Sequence, residues 1–192
     1  MIKTLTTKDI DDVSKLHSEV LGRTLVAKLG EKYLKNFYRN IVGSGYGIGF
    51  TYIFENRPIG FIAGSTDYNL LDAEIKAAFD FNLFFKICKL SILKPLSFLS
   101  FFEFFIVSNY RRIKNGQVAL LISIGVNKKH MKMKIGSKLV SALIKEFRRK
   151  NVNIIYVYTE KSFSISNKFY RSVGFKSDYR GVLINSYYYR VF

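Results

Sequence analysis

The chain has 192 residues, the size of one ordinary domain and enough to bury roughly 70% of its unfolded surface without a disulfide or metal to hold it. A hydrophobic fraction of 48% excludes a disordered chain, and the one cysteine, Cys88, excludes a disulfide framework and a multi-cysteine zinc site. Lys and Arg total 31 against 14 Asp and Glu, a net charge of +17 that calls for an anionic partner: nucleic acid, a membrane surface or a phosphate-rich small molecule.

Met1 to Leu5 leads into Lys8, Asp9, Asp11 and Asp12 rather than into an apolar stretch, so no secretory leader is read here and a cytoplasmic location is expected. Ile2 to Leu5 reads as a strand. Thr7 is the expected cap of a helix carrying Ile10, Val13, Leu16, His17 and Val20 at helical spacing. A second helix is expected from Glu31 to Val42, with Tyr33, Leu34, Phe37, Tyr38 and Ile41 on one side. Gly43 to Gly49 holds four glycines in seven residues and reads as a loop. It is no dinucleotide fingerprint, because Ile48 and Phe50 stand where the third glycine belongs and a strand follows.

Phe50 to Glu55 and Pro58 to Ser65 read as a hairpin about Asn56 and Arg57. An apolar stretch from Asn69 to Asn109 follows. Beyond it, Gln117 to Val126 is a strand, Gly136 to Lys150 an amphipathic helix, Val152 to Tyr158 a strand and Ser162 to Val173 a helix closed by Gly174. Val182 to Phe192 is the expected last strand. The predicted order is βααββ, an inserted helical region, then βαβαβ, on one domain spanning 1–192.

Two segments carry chemistry. In Val126 to Leu139 an apolar strand enters a short loop and then a helix, an arrangement that offers free N–H groups and a helix N-terminus to a pyrophosphate. Lys128, Lys129, Lys132 and Lys134 add positive charge, and Gly136 lets a ligand approach the backbone. The same residues also suit an ordinary turn with solvated lysines. The second segment is Asn167 to Phe175, after the strand that ends at Tyr158.

Together these segments resemble the GNAT acetyltransferase superfamily. Its later signature, F-Y-x-x-x-G-F, is met in full by Phe169, Tyr170, Gly174 and Phe175. Its cofactor motif, V-x-x-x-x-[QR]-x-x-G-x-[GA], is met in part: Val126, Ile135, Gly136 and Leu139 fall in register, while Met131 replaces Gln or Arg and Lys134 replaces the first Gly. The resemblance implies an α+β fold, a mixed and mostly antiparallel central sheet flanked by helices, with the 69–109 helical insertion after the third strand.

It also implies acetyl-CoA as co-substrate and a small-molecule amine as acceptor, joined by direct attack in a ternary complex. The pantetheine arm would pair with Ile124, Gly125 and Val126, the N–H of Val126 polarising the thioester carbonyl. The pyrophosphate would lie on the N–H groups of Met131, Lys132, Met133, Lys134, Ile135, Gly136 and Ser137. Tyr170 would protonate the departing thiolate. The family's helix-start Asn is Phe163 here, with Asn167 nearby as a substitute polar contact. The positions of the usual basic Glu hold Ser123 and Tyr158, which leaves a water, Asp67 or Glu74 to deprotonate the amine.

His17 and His130 lack a carboxylate pattern for a metal, and Cys88 reads as core. Lys86, Lys89, Lys94, Pro95 and Glu103 interrupt Phe79 to Val107 too often for a membrane span. Extra core, a homodimer contact and a peripheral anionic-membrane contact through 79–107 all fit it. Relatives with similar insertions act on amino sugars of surface polysaccharides, which extends the resemblance to that acceptor class. The competing classes are a CoA-binding or membrane-associated protein without turnover and a nucleic-acid module. No nucleic acid is expected, because the aromatic residues sit in apolar runs and do not interleave with Arg on a strand face. Arg111 to Lys150 holds twelve cations against one acid, Glu146, and includes the proposed pyrophosphate loop.

Overall fold

Alternating apolar residues give the strands two buried faces, and amphipathic helices cover both. In the computed structural model the described residues are 1–67, 118–192 and a set of positions between 85 and 107; of Leu25, Val26 and Lys132 the backbone alone is described. The strands are β1 (Ile2–Thr4), β2 (Gly47–Phe54), β3 (Arg57–Ser65), β4 (Val118–Val126), β5 (Ile154–Glu160), β6 (Lys176–Arg180) and β7 (Ile184–Arg190). The helices are α1 (Ile10–Leu21), α2 (Leu25–Leu29), α3 (Glu31–Gly43), α4 (Ile135–Arg149) and α5 (Ser164–Ser172), joined by 3-10 turns at Thr7–Asp9 and Lys128–Met133. The strands form one seven-stranded sheet in the order β1-β2-β3-β4-β5-β7-β6. Every pairing is antiparallel except β4 with β5.

One face packs on α1 and α3 through Val13, Leu16, Leu34, Tyr38, Ile41, Phe61 and Ala63. The other packs on α4 and α5 through Ile62, Leu121, Leu139, Leu143, Phe147, Ile155 and Tyr170. The predicted mixed sheet with flanking helices is therefore the observed one.

Four expectations need correction. Thr6, not Thr7, opens the first helical segment: its N–H and Oγ1 both donate to Asp9 Oδ2, at 2.8 and 2.6 Å. The expected glycine loop shrinks to Ser44–Tyr46, because α3 runs through Gly43 and β2 starts at Gly47. Pairing of Gly47 with Ser65 and of Gly49 with Ala63 overrides the low strand propensity of glycine. The short α2 was not expected. Nor was β6, an edge strand of Lys, Ser, Asp, Tyr and Arg that carries no apolar alternation because most of it faces solvent.

The described positions between 85 and 107 are helical. They pack the Phe104 ring edge-on against Tyr158 at 5.0 Å, so this region meets the sheet at β5. Phe85, Ile92, Leu96, Leu99, Phe102 and Ile106 are exposed. Glu74, Cys88 and the residues just before Pro95 lie outside the described residues. Among the described residues, no helix is long and apolar enough to cross a membrane.

His17 lies in the α1–α3 core at 3% exposure, stacked on Phe61, with Nδ1 at 2.8 Å from the Tyr38 hydroxyl. Burial pushes its pKa down to about 4, so the folded protein holds it neutral. The unfolded chain titrates it near pH 6.5 and therefore binds more protons below that pH. This contribution to stability is complete above pH ~6.5 and falls by up to about 3 kcal/mol as the pH drops to ~4. In urea titrations from pH 7 to 4, His17→Phe is expected to flatten the decline; an unchanged slope counts against the assignment.

Candidate active site

β4 and β5 pair only from Val118 with Ile154 to Leu121 with Val157. Beyond that point β4 runs to Val126 beside β3, while β5 runs to Glu160 beside β7. The two strands splay and leave one edge of Ile122–Val126 without a strand partner among the described residues. A bulge between β3 and β4, where Ala63 pairs with Ser123 and Gly64 with Leu121, marks the start of the splay.

The N–H of Asn127 donates to the carbonyl of Ile59 at 2.8 Å, which makes that pair hydrogen-bonded. Antiparallel ladders alternate, so Gly125 bonds to Phe61, while Ile124 and Val126 turn their N–H and C=O groups to the open edge. Ile124 and Val126 thus offer strand-like pairing to an extended ligand. Gly125 has a different task. A Cβ there would come within 2.6 Å of the Phe61 ring, so the missing side chain admits that buried aromatic.

The loop after β4 is built by its own backbone. Asn127 Oδ1 accepts the Lys129 N–H at 3.1 Å, and the Asn127 carbonyl accepts the His130 N–H at 2.9 Å. Met131 and Met133 are about half exposed, and Lys128, Lys129 and Lys134 are exposed. Within α4 the first N–H to find a helical acceptor is that of Lys138, bonded to the Lys134 carbonyl at 3.1 Å. The N–H groups of Ile135, Gly136 and Ser137 have no acceptor in the helix and stand at its positive end. The side chain of Ile135 is fully buried and anchors this turn against β3 near Gly60.

Lys134 adopts φ 56° and ψ 24°, a left-handed conformation that glycine adopts without strain. The side chain points outward. Lys134→Gly is expected to relieve about 1 kcal/mol of backbone strain, raising Tm by roughly 2–4 °C. Lys134→Ala is expected to give no such gain. Equal melting temperatures for all three proteins would refute the strain.

The two motifs meet at Gly136. A Cβ there would lie 3.0 Å from Cε2 of Phe169, so the glycine makes room for the first aromatic of the Phe-Tyr pair. Phe169 contacts Tyr170 at 5.6 Å between ring centres. Tyr170 is buried to 6% exposure among Phe175 and Tyr187, and its hydroxyl has no hydrogen-bond partner among the described residues. Burial raises its pKa above the usual phenol range, so the hydroxyl keeps its proton.

Asn167 sits one turn before Tyr170 and is buried. Its Nδ2 donates to the carbonyls of Glu160 (2.9 Å) and Phe163 (2.8 Å), and its Oδ1 accepts from Asn185 Nδ2 (2.8 Å) and the Tyr187 hydroxyl (2.7 Å). These bonds tie α5 to β5 and β7 and leave no side-chain proton to offer a cofactor. The residue is therefore a clamp within the protein. The expected polar contact to a ligand is corrected to this internal role.

At the positions of the usual base, the Ser123 side chain is partly buried and Tyr158 packs on Phe104. Asp67 is partly buried, with its N–H on Ser65 Oγ at 3.2 Å. Among the described residues, no group of His, Cys, Asp and Glu could hold a metal ion.

Sequence reasoning missed Glu103. Its carboxylate accepts the N–H groups of Val182 (2.7 Å), Leu183 (2.8 Å) and Ile184 (3.2 Å) and the Tyr179 hydroxyl (3.2 Å), which anchors the inserted region on the β6–β7 turn. The available signal was one acid inside an apolar run.

Solved structures share this architecture. PaiA N-acetyltransferase from Thermoplasma acidophilum in complex with coenzyme A superposes with a TM-score of 0.62 at 14% identity, covering 99% of this chain and 98% of that one. An aminoglycoside N-acetyltransferase in complex with CoA gives 0.64 at 14% identity, covering 95% and 91%. An acetyltransferase from Thermus thermophilus gives 0.62 at 10% identity, covering 99% and 97%. No curated protein matches the sequence. The sequence itself matches the Acetyltransferase (GNAT) family over residues 19–175, which takes in both motifs and the splayed strands, and the chain belongs to that family of acetyl-CoA-dependent enzymes.

Proposed function

We propose that the chain transfers an acetyl group from acetyl-CoA to the primary amine of an amino sugar carried on a phosphate, as in precursors of surface polysaccharides. The observation that carries the acetyl-CoA part is the splay: the open backbone groups of Ile124 and Val126 lead straight to the free N–H groups of Ile135, Gly136 and Ser137. An extended pantetheine can complete the β4 edge, and a pyrophosphate can sit at the α4 N-terminus beside Lys128, Lys129 and Lys134.

Acetyl-CoA when bound supplies an activated thioester. The chain orients it along β4, and the Val126 N–H is aimed to the side where its carbonyl would lie. Tyr170 Oη holds a proton for the leaving thiolate. No carboxylate stands at Ser123 or Tyr158, so the amine loses its proton to water or to Asp67. The net charge of +17 supports a phosphorylated acceptor.

Calorimetry with acetyl-CoA is expected to show saturable one-to-one binding. Free-thiol release across a panel of amines is expected to be fastest with phosphorylated amino sugars. Turnover on peptide amines with none on amino sugars would remove that acceptor. Binding without turnover on any amine would make the chain a CoA binder.

A further inference from the structure

On the side of α5 remote from α4 lies a cleft of about 420 Å³ between α5, β6 and β7. Lys161, Lys168, Arg171 and Arg180 line it, together with Ser164 and Ser177, and among the described residues no Asp or Glu lies in its wall. Among the described residues, none of the four cations is paired with a carboxylate. The Arg171 Nε donates to the Asn167 carbonyl at 3.2 Å, which fixes the guanidinium at the wall and leaves its terminal nitrogens without a partner among the described residues. The floor, by contrast, is satisfied: Asn185 and Tyr187 are bonded to Asn167 Oδ1. Four like charges around one small volume repel one another, and a compact polyanion removes that cost. Two guanidinium forks with flanking ammonium and hydroxyl groups match the oxygens of a diphosphate. A backbone-tracking groove for nucleic acid would need an extended stripe, which this cleft lacks.

We propose that this cleft is a second anion site, separate from the pyrophosphate loop at α4, and that it takes the diphosphate group of a soluble small molecule. The ligand would press on the clamp that holds α5, since Tyr187 lines the cleft and also contacts the Tyr170 ring, with centroids 6.0 Å apart. The cleft belongs to this chain's own Lys168, Arg171 and Arg180 and does not depend on the acetyl-transfer reading.

The test is calorimetry with inorganic pyrophosphate, on the full chain alone and again with CoA saturating the loop. One saturable site is expected in the CoA-loaded protein, weakened at least tenfold by the pair Lys168→Glu and Arg180→Glu, with CoA affinity changed less than twofold. If the charge-reversed protein fails to fold, the pair Lys168→Gln and Arg180→Gln carries the same comparison. Absence of pyrophosphate binding to the CoA-loaded wild type overturns the proposal, as does equal binding by the variants. Sedimentation with phosphatidylglycerol vesicles separates a lipid source: vesicle binding that depends on Lys168 and Arg180, with no pyrophosphate binding, also overturns it.

Discussion

Tyr170→Phe is expected to lower turnover by about 10²- to 10⁴-fold, or roughly 3–5 kcal/mol of transition-state stabilisation, while CoA affinity and Tm stay near wild type. The side chain fills its place through ring contacts with Phe169, Phe175 and Tyr187, all of which phenylalanine keeps. Its hydroxyl has no bond within the described protein to lose. What disappears is one proton, held on a phenol that burial keeps from ionising at neutral pH. A thiolate leaving into this apolar surrounding would lack its acid. Steady-state thiol release and calorimetry on the same preparation give the answer. Unchanged turnover would strip Tyr170 of its role, and a joint loss of turnover and CoA affinity would make it a packing residue.

Glu103→Ala is expected to free the inserted region from the sheet. The wild-type carboxylate receives three consecutive backbone N–H groups from the β6–β7 turn and one hydroxyl. Partial burial works to raise its pKa, but the N–H groups of Leu183, Val182 and Ile184 outweigh it and hold the pKa below the ordinary carboxylate range. The site faces solvent in part, so water offsets much of the loss, and about 2 kcal/mol is the expected cost to docking. Amide exchange at 182–184 should then quicken at least tenfold, with faster proteolysis between 85 and 107. The pKa is depressed, so docking is complete above the ordinary carboxylate pKa and is lost as the pH falls through the lower folded value. Gly181→Ala tests the same contact from the other side, because a Cβ there would overlap Glu103 Oε1. It should be more damaging in the wild type than in the Glu103→Ala background, where only the overlap of that Cβ with the Tyr179 ring remains. Equal damage in both would show that the clip is not the cause.

Periodicity and motif spacing made much of this fold legible. Apolar residues at helical spacing placed α1, α3 and α4, because each buries one stripe against the sheet. β6 escaped because an exposed edge needs no apolar face. The glycines of β2 misled, since their fit depends on partners distant in sequence: a Cβ at Gly49 would crowd Leu5. The Phe-Tyr signature identified Tyr170, yet Asn167 changed its meaning. Its partners Asn185 and Tyr187 lie 18 and 20 residues later, and strand pairing alone brings them under α5. Gly136 was legible as a position where bulk is unwelcome. That the Phe169 ring, and not a ligand, occupies the space followed only from packing.

The splay between β4 and β5 divides the sheet into two mechanical bodies, β1 to β4 and β5 with β7 and β6. Four residue pairs join their ladders, from Val118–Ile154 to Leu121–Val157. These pairs lie at one end, so the seam behaves as a hinged book held at its spine. Anything seated in the open edge rests against Val126 on one page and faces Glu160, the start of the α5 approach, on the other. Prising the pages apart works against the spine with a long lever, and against the core that Leu121, Leu139 and Ile155 share across the seam. The α4 N-terminus rides on one page and Tyr170 on the other, and Phe169 against Gly136 is the latch that sets how far apart they stand.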